Sequence, residues 1–331
     1  MNRKGVRMRL WRIVVEAVVK IVRHWQQHFR MPRYSTLVGV GSIVLIVVVQ
    51  PLAAQNQTTE DYPFRIGINF PFRGPETATI AQYLQWLNEI PANGMRQMTY
   101  ADVLWGSVEP QDNQWDFVKS DSALFNPFGI YPIPTLYFMG TGVNSTGLQC
   151  PWRACSDPGC GWFEAQDSAD SRDYVQTVIQ RYQSVTHHWE IANEMDGHTR
   201  RPTGMPEADF ARFLLLNRQW IQAVDPQAKI LLPGLLGTYG LPYATPMRWL
   251  RNLLAAGGGE GFDIMNYHDY NAWWTLPAHF DSIKAILTEY WYGDKPIWVT
   301  ECGVSSDPTN SITPTYVSET QQAADVWRRS S

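Results

Sequence analysis

The stretch WEIANEMDG, Trp189–Gly197, is a short apolar run that ends on an Asn and a Glu side by side. PIWVTECG, Pro296–Gly303, repeats the arrangement, a strand-length apolar run closing on Glu301. Working outward, five more runs of this kind precede or separate them: FRIGINF (64–70), GMRQMTY (94–100), IYPIPTLYF (130–138), KILLPG (229–234) and FDIMNYH (262–268). With HHWEIAN (187–193) and PIWVTE (296–301) they make seven. The intervening segments have helical spacing. TIAQYLQWLNEI aligns Ile80, Leu84, Leu87 and Ile90 on one face, and DFARFLLLNRQWIQAV aligns Phe210, Phe213, Leu214, Trp220, Ile221 and Val224. DSRDYVQTVIQRYQSV does the same with Tyr174, Val175, Val178, Ile179, Tyr182 and Val185. Strands alternating with amphipathic helices predict βα units on a parallel sheet.

Such units either open into a doubly wound sheet or close into a barrel. The open nucleotide-binding form carries GxGxxG or GxxxxGK[ST], and neither occurs here. A barrel gathers its functional residues at the C-terminal strand ends, which is where Arg96, Asn193, Glu194, His268 and Glu301 fall. The predicted fold is therefore α/β, a TIM (β/α)8 barrel. About seven βα units are present, and an eighth strand and helix are missing after VSSDPTNSITPTYVSETQQAADVWRRSS. A seven-unit barrel is expected to expose two strand edges.

Composition bounds the function. With 44% hydrophobic and 18% charged residues the 331-residue chain is globular, and a net charge of −4 excludes a basic nucleic-acid footprint. Fifteen Trp, most of them expected in the core, supply flat amphipathic rings suited to polar, CH-rich ligands such as sugars. Residues 1–30 form a basic upstream segment, LWRIVVEAVVKIVRHWQQHF being its amphipathic part, and Met31 is the preferred start of translation. Residues 31–55 read as a signal peptide or membrane anchor built on the apolar run 36–49, which makes the protein secreted or membrane-anchored. Residues 62–331 are expected to form one domain, the incomplete barrel. Cys150, Cys155 and Cys160 lie in one loop where a single disulfide is expected, its pairing left open, while Cys302 follows Glu301. No metal ligand set converges, no cofactor is implied, and no oligomeric state is assigned.

Two strand-end glutamates can break a glycosidic bond. One carboxyl delivers a proton to the leaving oxygen while the other, ionised, attacks or supports the anomeric carbon. Like charges in one cleft cannot both ionise easily, so the pair keeps a proton. WEIANEMDG and PIWVTECG resemble the strand 4 and strand 7 signatures of glycoside hydrolase clan A, the retaining (β/α)8 glycosidases. WGSVEPQDNQWDFVKSD, Trp105–Asp121, is similar to the phrase that families 39, 42 and 5 carry after strand 2, and NYHDYNAWW, Asn266–Trp274, resembles their strand 6 end. The resemblance covers about Phe64 to the C-terminus.

It implies Glu194 as acid/base and Glu301 as nucleophile of a glycosidase acting on β-linked poly- or oligosaccharide without a cofactor. It further implies that Asn193 bonds the sugar 2-hydroxyl, Tyr270 donates to Glu301, His268 lines the site, and the Arg96 charge holds Glu301 ionised. Trp273 and Trp274, with Trp105, Trp152 and Trp162 behind them, are candidate sugar-stacking platforms. Duller readings stand beside these. A lone strand-end Glu is usually solvated, Arg96 also suits a structural ion pair, His187 and His188 suit surface or packing positions, and Asp196 and Asp269 suit loop charges or support of the site. A rival from another class is a catalytically silent truncated carbohydrate-binding barrel. A metal-dependent barrel hydrolase lacks its ligands.

Overall fold

The computed structural model describes residues 103–125, 131–136, 138, 165–196, 206–236, 244–304 and most of 317–325, together with the strand backbones at 44–47, 66–72 and 94–99. The elements in chain order are β1 (Val44–Val47), β2 (Ile66–Phe72), β3 (Gly94–Thr99), α1 (Trp105–Val108), α2 (Val118–Leu124), β4 (Tyr131–Leu136), α3 (Ala165–Tyr182) and β5 (His188–Ile191). They continue with α4 (Glu207–Val224), β6 (Lys229–Leu231), β7 (Leu235–Leu236), α5 (Ala244–Ala255), β8 (Met265–Asp269), α6 (Leu276–Glu289) and β9 (Ile297–Cys302). All seven predicted strand positions are occupied, and two of the predicted helices appear as α3 and α4. The helix expected over Ile80–Ile90 lies outside the described residues, as does the loop holding Cys150, Cys155, Cys160, Trp152 and Trp162.

The strands run in the order β6-β5-β4-β3-β2-β1-β9-β8-β7. Neighbours are parallel throughout, except that β1 is antiparallel to both β2 and β9. β6 and β7 are halves of one chain pass, the first paired with β5 and the second with β8. Where the pass breaks, Leu232 N–H donates to Ile264 O at 3.0 Å. Among the described residues there are thus seven parallel passes and no eighth, a partial barrel that no parallel strand closes.

The edges of β2 and β9 are not bare. Val44–Val47, from the run read as an export signal or anchor, pairs with both. An unpaired strand edge is a row of unsatisfied backbone donors and acceptors, and a Val-Leu-Ile-Val segment has the β propensity to satisfy it. This corrects the expectation of two exposed edges. Among the described residues no helix is long and apolar enough to cross a membrane.

Local chemistry explains several boundaries. The ladder from β4 to β5 starts only at Thr135, beyond Pro132 and Pro134, neither of which has an N–H to give. α4 begins after Pro206, with Glu207 and Asp209 in its first turn, where acidic groups meet the positive end of the helix dipole. The helices bury Tyr174, Val178, Tyr182, Phe210, Phe213, Leu214, Leu250 and Ile283 against the sheet. A smaller apolar plug fills the interior from Ile133, Leu231, Ile264 and Trp298. His188 lies over Trp298, ring centroids 5.3 Å apart and planes 22° from parallel, and its Nδ1 is 2.8 Å from Tyr131 Oη. Burial pushes its imidazole down to about 4, so it is a neutral packing group, as one of the two readings of that residue held.

The phrase after β3 is also a packing unit. Trp105 is wholly buried and stacks on Tyr174, with centroids 5.1 Å apart and planes 10° from parallel. Its Nε1–H donates to Glu109 Oε2 at 2.8 Å, and the Asn113 amide donates to Oε1 at 2.9 Å. Trp105 is therefore a core residue and not a stacking platform. Burial of Glu109 pushes its carboxyl up to about 7 against these two hydrogen bonds.

Candidate active site

β5 ends at Ile191, and the chain then leaves the sheet through a conformation that non-glycine residues rarely adopt. Ala192 has φ 62° and Glu194 φ 50°, each in the left-handed region. That costs about 1–2 kcal/mol per residue and persists only where the surroundings enforce it. Here the Ala192 N–H is held by Leu136 O at 3.0 Å, and two residues beyond Glu194 both carboxylate oxygens of Asp196 accept from the Leu236 amide, at 3.0 and 3.1 Å. The turn carrying Glu194 is thus pinned to β4 on one side and β7 on the other. Asp196 is 1% exposed. Burial pushes its carboxyl up to about 6, the nearby Glu194 charge pushes the same way, and the Leu236 amide opposes both.

The opposite wall comes from β8 and β9, whose register slips between Tyr267 and His268. Tyr267 pairs with Val299 but His268 pairs with Glu301, leaving Thr300 as the extra residue on β9. In a regular strand Thr300 and Glu301 would face opposite sides; a bulge re-aims them so that both reach the same ring. His268 Nε2 is 3.2 Å from Thr300 Oγ1 and 3.7 Å from Glu301 Oε1, while its Nδ1 is 2.9 Å from Glu194 Oε1. Thr300 in turn donates to Asn266 Oδ1 at 2.8 Å. Tyr270 Oη donates to Glu301 Oε2.

Glu194, His268 and Glu301 each contribute one atom to a set whose members all lie within 4.8 Å of one another. All three are buried, at 8%, 0% and 3% exposure, so their mutual electrostatics act with little water between them. The set is compact enough to pass a proton and also to hold a divalent cation, although the ring nitrogens are engaged in hydrogen bonds where a metal would need them.

Of the residues singled out in the sequence, the structure brings Glu194, Glu301, His268 and Tyr270 into direct contact. Asn193 is buried beside Glu194. Trp273 and Trp274 lie on the 3-10 turn Trp273–Thr275 just after Tyr270; Trp273 is part-buried and Trp274 is 65% exposed. Arg96 stands on β3 in register with Asn69 and Ile133; its side chain lies outside the described residues. Reading the sequence by residue type left Thr300 and Asn266 unassigned, though both sit inside the quoted stretches, and it weighed Asp196 as a loop charge or a support of the site. Nothing in composition or spacing foretells a bulge or a left-handed turn.

Among the described residues the fold is a partial (β/α) barrel, similar in architecture to glycoside hydrolases. Residues 217–329 match the family model described as glycosyl hydrolase catalytic core. No curated protein sequence matches the chain. Among solved structures it is similar to a family 39 β-xylosidase from Caulobacter crescentus, with 18% identity, TM-score 0.56, and coverage of 80% of this chain and 58% of that one. A family 39 glycoside hydrolase from Bacteroides cellulosilyticus gives 18% identity, TM-score 0.52, and coverage of 80% and 52%. An exo-β-1,4-mannosidase from an Opitutaceae bacterium gives 17% identity, TM-score 0.53, and coverage of 80% and 50%. The chain thus spans between half and three fifths of the length of these structures.

Proposed function

We propose that the protein is a retaining glycosidase that hydrolyses β-linked poly- or oligosaccharides, with Glu194 as acid/base and Glu301 as nucleophile. The observation that carries this reading is the approach of a Glu194 and a Glu301 carboxylate oxygen to within 4.8 Å. Retaining enzymes hold their carboxyl groups about 5–5.5 Å apart, whereas inverting enzymes leave about 6.5–9.5 Å for a water. The β-xylosidase and β-mannosidase named above favour a β-linked substrate, and no cofactor enters the chemistry.

The steps follow from the positions. A Glu301 oxygen attacks the anomeric carbon as the glycosidic C–O bond breaks, and Glu194 gives its proton to the departing oxygen. Glu194, now anionic, takes a proton from water, whose oxygen attacks the anomeric carbon and expels Glu301. Tyr270 donates to the Glu301 oxygen that does not attack, favouring its anionic form before attack and after release. His268 holds Glu194 through Nδ1 and limits its rotation. Asn193 is assigned to the sugar 2-hydroxyl, Arg96 to holding Glu301 ionised, and Trp273 and Trp274 to stacking on the sugar ring. Delivery outside the cytoplasm, as a secreted or anchored protein, is part of the same reading.

The test is a panel of chromogenic β-glycosides and β-linked polysaccharides on wild type, Glu301→Ala and Glu194→Ala. Glu301→Ala should abolish turnover while retaining sugar binding, and Glu194→Ala should spare only substrates whose leaving group needs no proton. Full activity of either variant on a natural glycan refutes the assignment. Binding without turnover in the wild type selects the silent carbohydrate-binding barrel instead.

A further inference from the structure

The geometry points to Glu190 as a positioning residue: its carboxylate holds the Gly234 backbone against the His268 ring and thereby fixes that ring between Glu194 and Glu301. The inference rests on the reading of those two glutamates as the reacting pair, and it assigns a role to a buried residue outside that pair.

Glu190 sits in the middle of β5, in register with Thr135 of β4 and Leu231 of β6, and is wholly buried. A carboxylate inside a barrel is costly to desolvate, so its hydrogen bonds indicate what it is for. Oε1 accepts from the Gly234 amide at 3.1 Å, and Oε2 lies 3.4 Å from Thr135 Oγ1. Gly234 is the last residue of the break between β6 and β7, where Leu232–Gly234 belong to neither strand. Its peptide is oriented by this side chain across the interior.

The same glycine is the surface on which the imidazole rests. A Cβ placed on Gly234 would stand 1.9 Å from His268 Nε2 and 2.2 Å from Cδ2, so no other residue fits there without displacing the ring. Two residues on, Leu236 pairs with His268 itself. Rotation of the Gly234 peptide therefore moves the ring that reaches Glu194 through one nitrogen and Glu301 and Thr300 through the other. What the Glu190 side chain supplies to the Gly234 amide is reach.

Two conservative variants separate reach from charge. Glu190→Gln keeps an acceptor at the same distance, whereas Glu190→Asp keeps the carboxylate but withdraws it by one methylene. The readouts are kcat and KM on an activated β-glycoside, and the imidazole nitrogen shifts of His268 in protein labelled with 15N-histidine. Glu190→Gln should stay within about threefold of wild type in kcat with His268 unmoved. Glu190→Asp should lose about 10- to 100-fold in kcat at nearly constant KM, the cost of a reacting group displaced by about an ångström, with shifted His268 signals. The reverse order overturns the proposal, as does a pair of variants that differ only in melting temperature, or a Glu190→Gln protein that does not fold. If Glu190→Asp does not fold, Gly234→Ala takes its place, and unmoved His268 signals there are equally fatal. A wild type that cleaves no glycoside defeats the glycosidase reading alone, since the His268 shifts still report whether Glu190 seats the ring.

Discussion

Replacing Asp196 by Asn isolates the electrostatic cost of holding a second carboxylate beside Glu194. Asp196 is 1% exposed, and its carboxyl is pushed from 3.8 up to about 6, first by burial and then by the Glu194 charge. Raised in the native state, the group binds its proton more tightly folded than unfolded. Native protein therefore carries more protons between those two values, and stability falls as pH rises through that window. A rise from 3.8 to about 6 corresponds to about 3 kcal/mol, fully present above pH 6 and absent below pH 4. Asn keeps a carbonyl for the Leu236 amide but has no proton to lose. Relative to wild type, Asp196→Asn should gain up to about 3 kcal/mol between pH 4 and pH 7 and change no further above that. Urea denaturation of both proteins at half-unit pH steps reads the difference, with other titrating groups cancelling between them. In a Glu194→Gln background the slope should shrink, because the one charge that raises Asp196 is gone and burial alone remains to raise it. A difference that does not depend on pH, or that runs the other way, would refute the reasoning.

Three further outcomes follow from the same contacts. His188 is lowered from 6.5 to about 4 by burial, so its contribution is present above pH 6.5 and falls by about 3 kcal/mol as pH drops toward 4; His188→Phe should remove that acid-side loss, read by denaturation at pH 4.5 against pH 7. Tyr270→Phe removes the donor to Glu301 Oε2 and should lower kcat by about 10- to 100-fold while leaving urea stability within about 1 kcal/mol, measured on the same β-glycoside panel. Deleting residues 1–50 removes β1 and bares the edges of β2 and β9, which should lower the melting temperature and produce concentration-dependent association seen by light scattering.

How far the sequence reached can be judged element by element. The seven strand runs and the α3 and α4 helices were legible because burial on two faces leaves continuous apolar runs, while burial on one face leaves a 3.6-residue period. Glu194 and Glu301 were legible because strand C-termini converge at the mouth of such a fold, so a carboxylate ending each of two runs already places both near one point. Trp105 misled the reading, since a Trp beside a polar loop looks the same whether its face meets a sugar or Tyr174. The pairing of Val44–Val47 with β2 and β9 was not legible in the apolar run 36–49, because export signals, membrane anchors and edge-covering strands share one composition.

By itself, then, the sequence determined the alternation of strands and helices, the acidic strand ends and the resemblance to clan A, all of them consequences of local periodicity and residue type. Tertiary structure alone decided that Thr300 is extruded so that Glu301 turns toward His268, and that Ala192 and Glu194 take left-handed backbone. It alone brought Glu190 across the interior to Gly234. The reason is physical: a bulge, a strained turn and a buried hydrogen bond are each unfavourable or neutral taken locally, and become stable only when distant strands supply the partners that hold them.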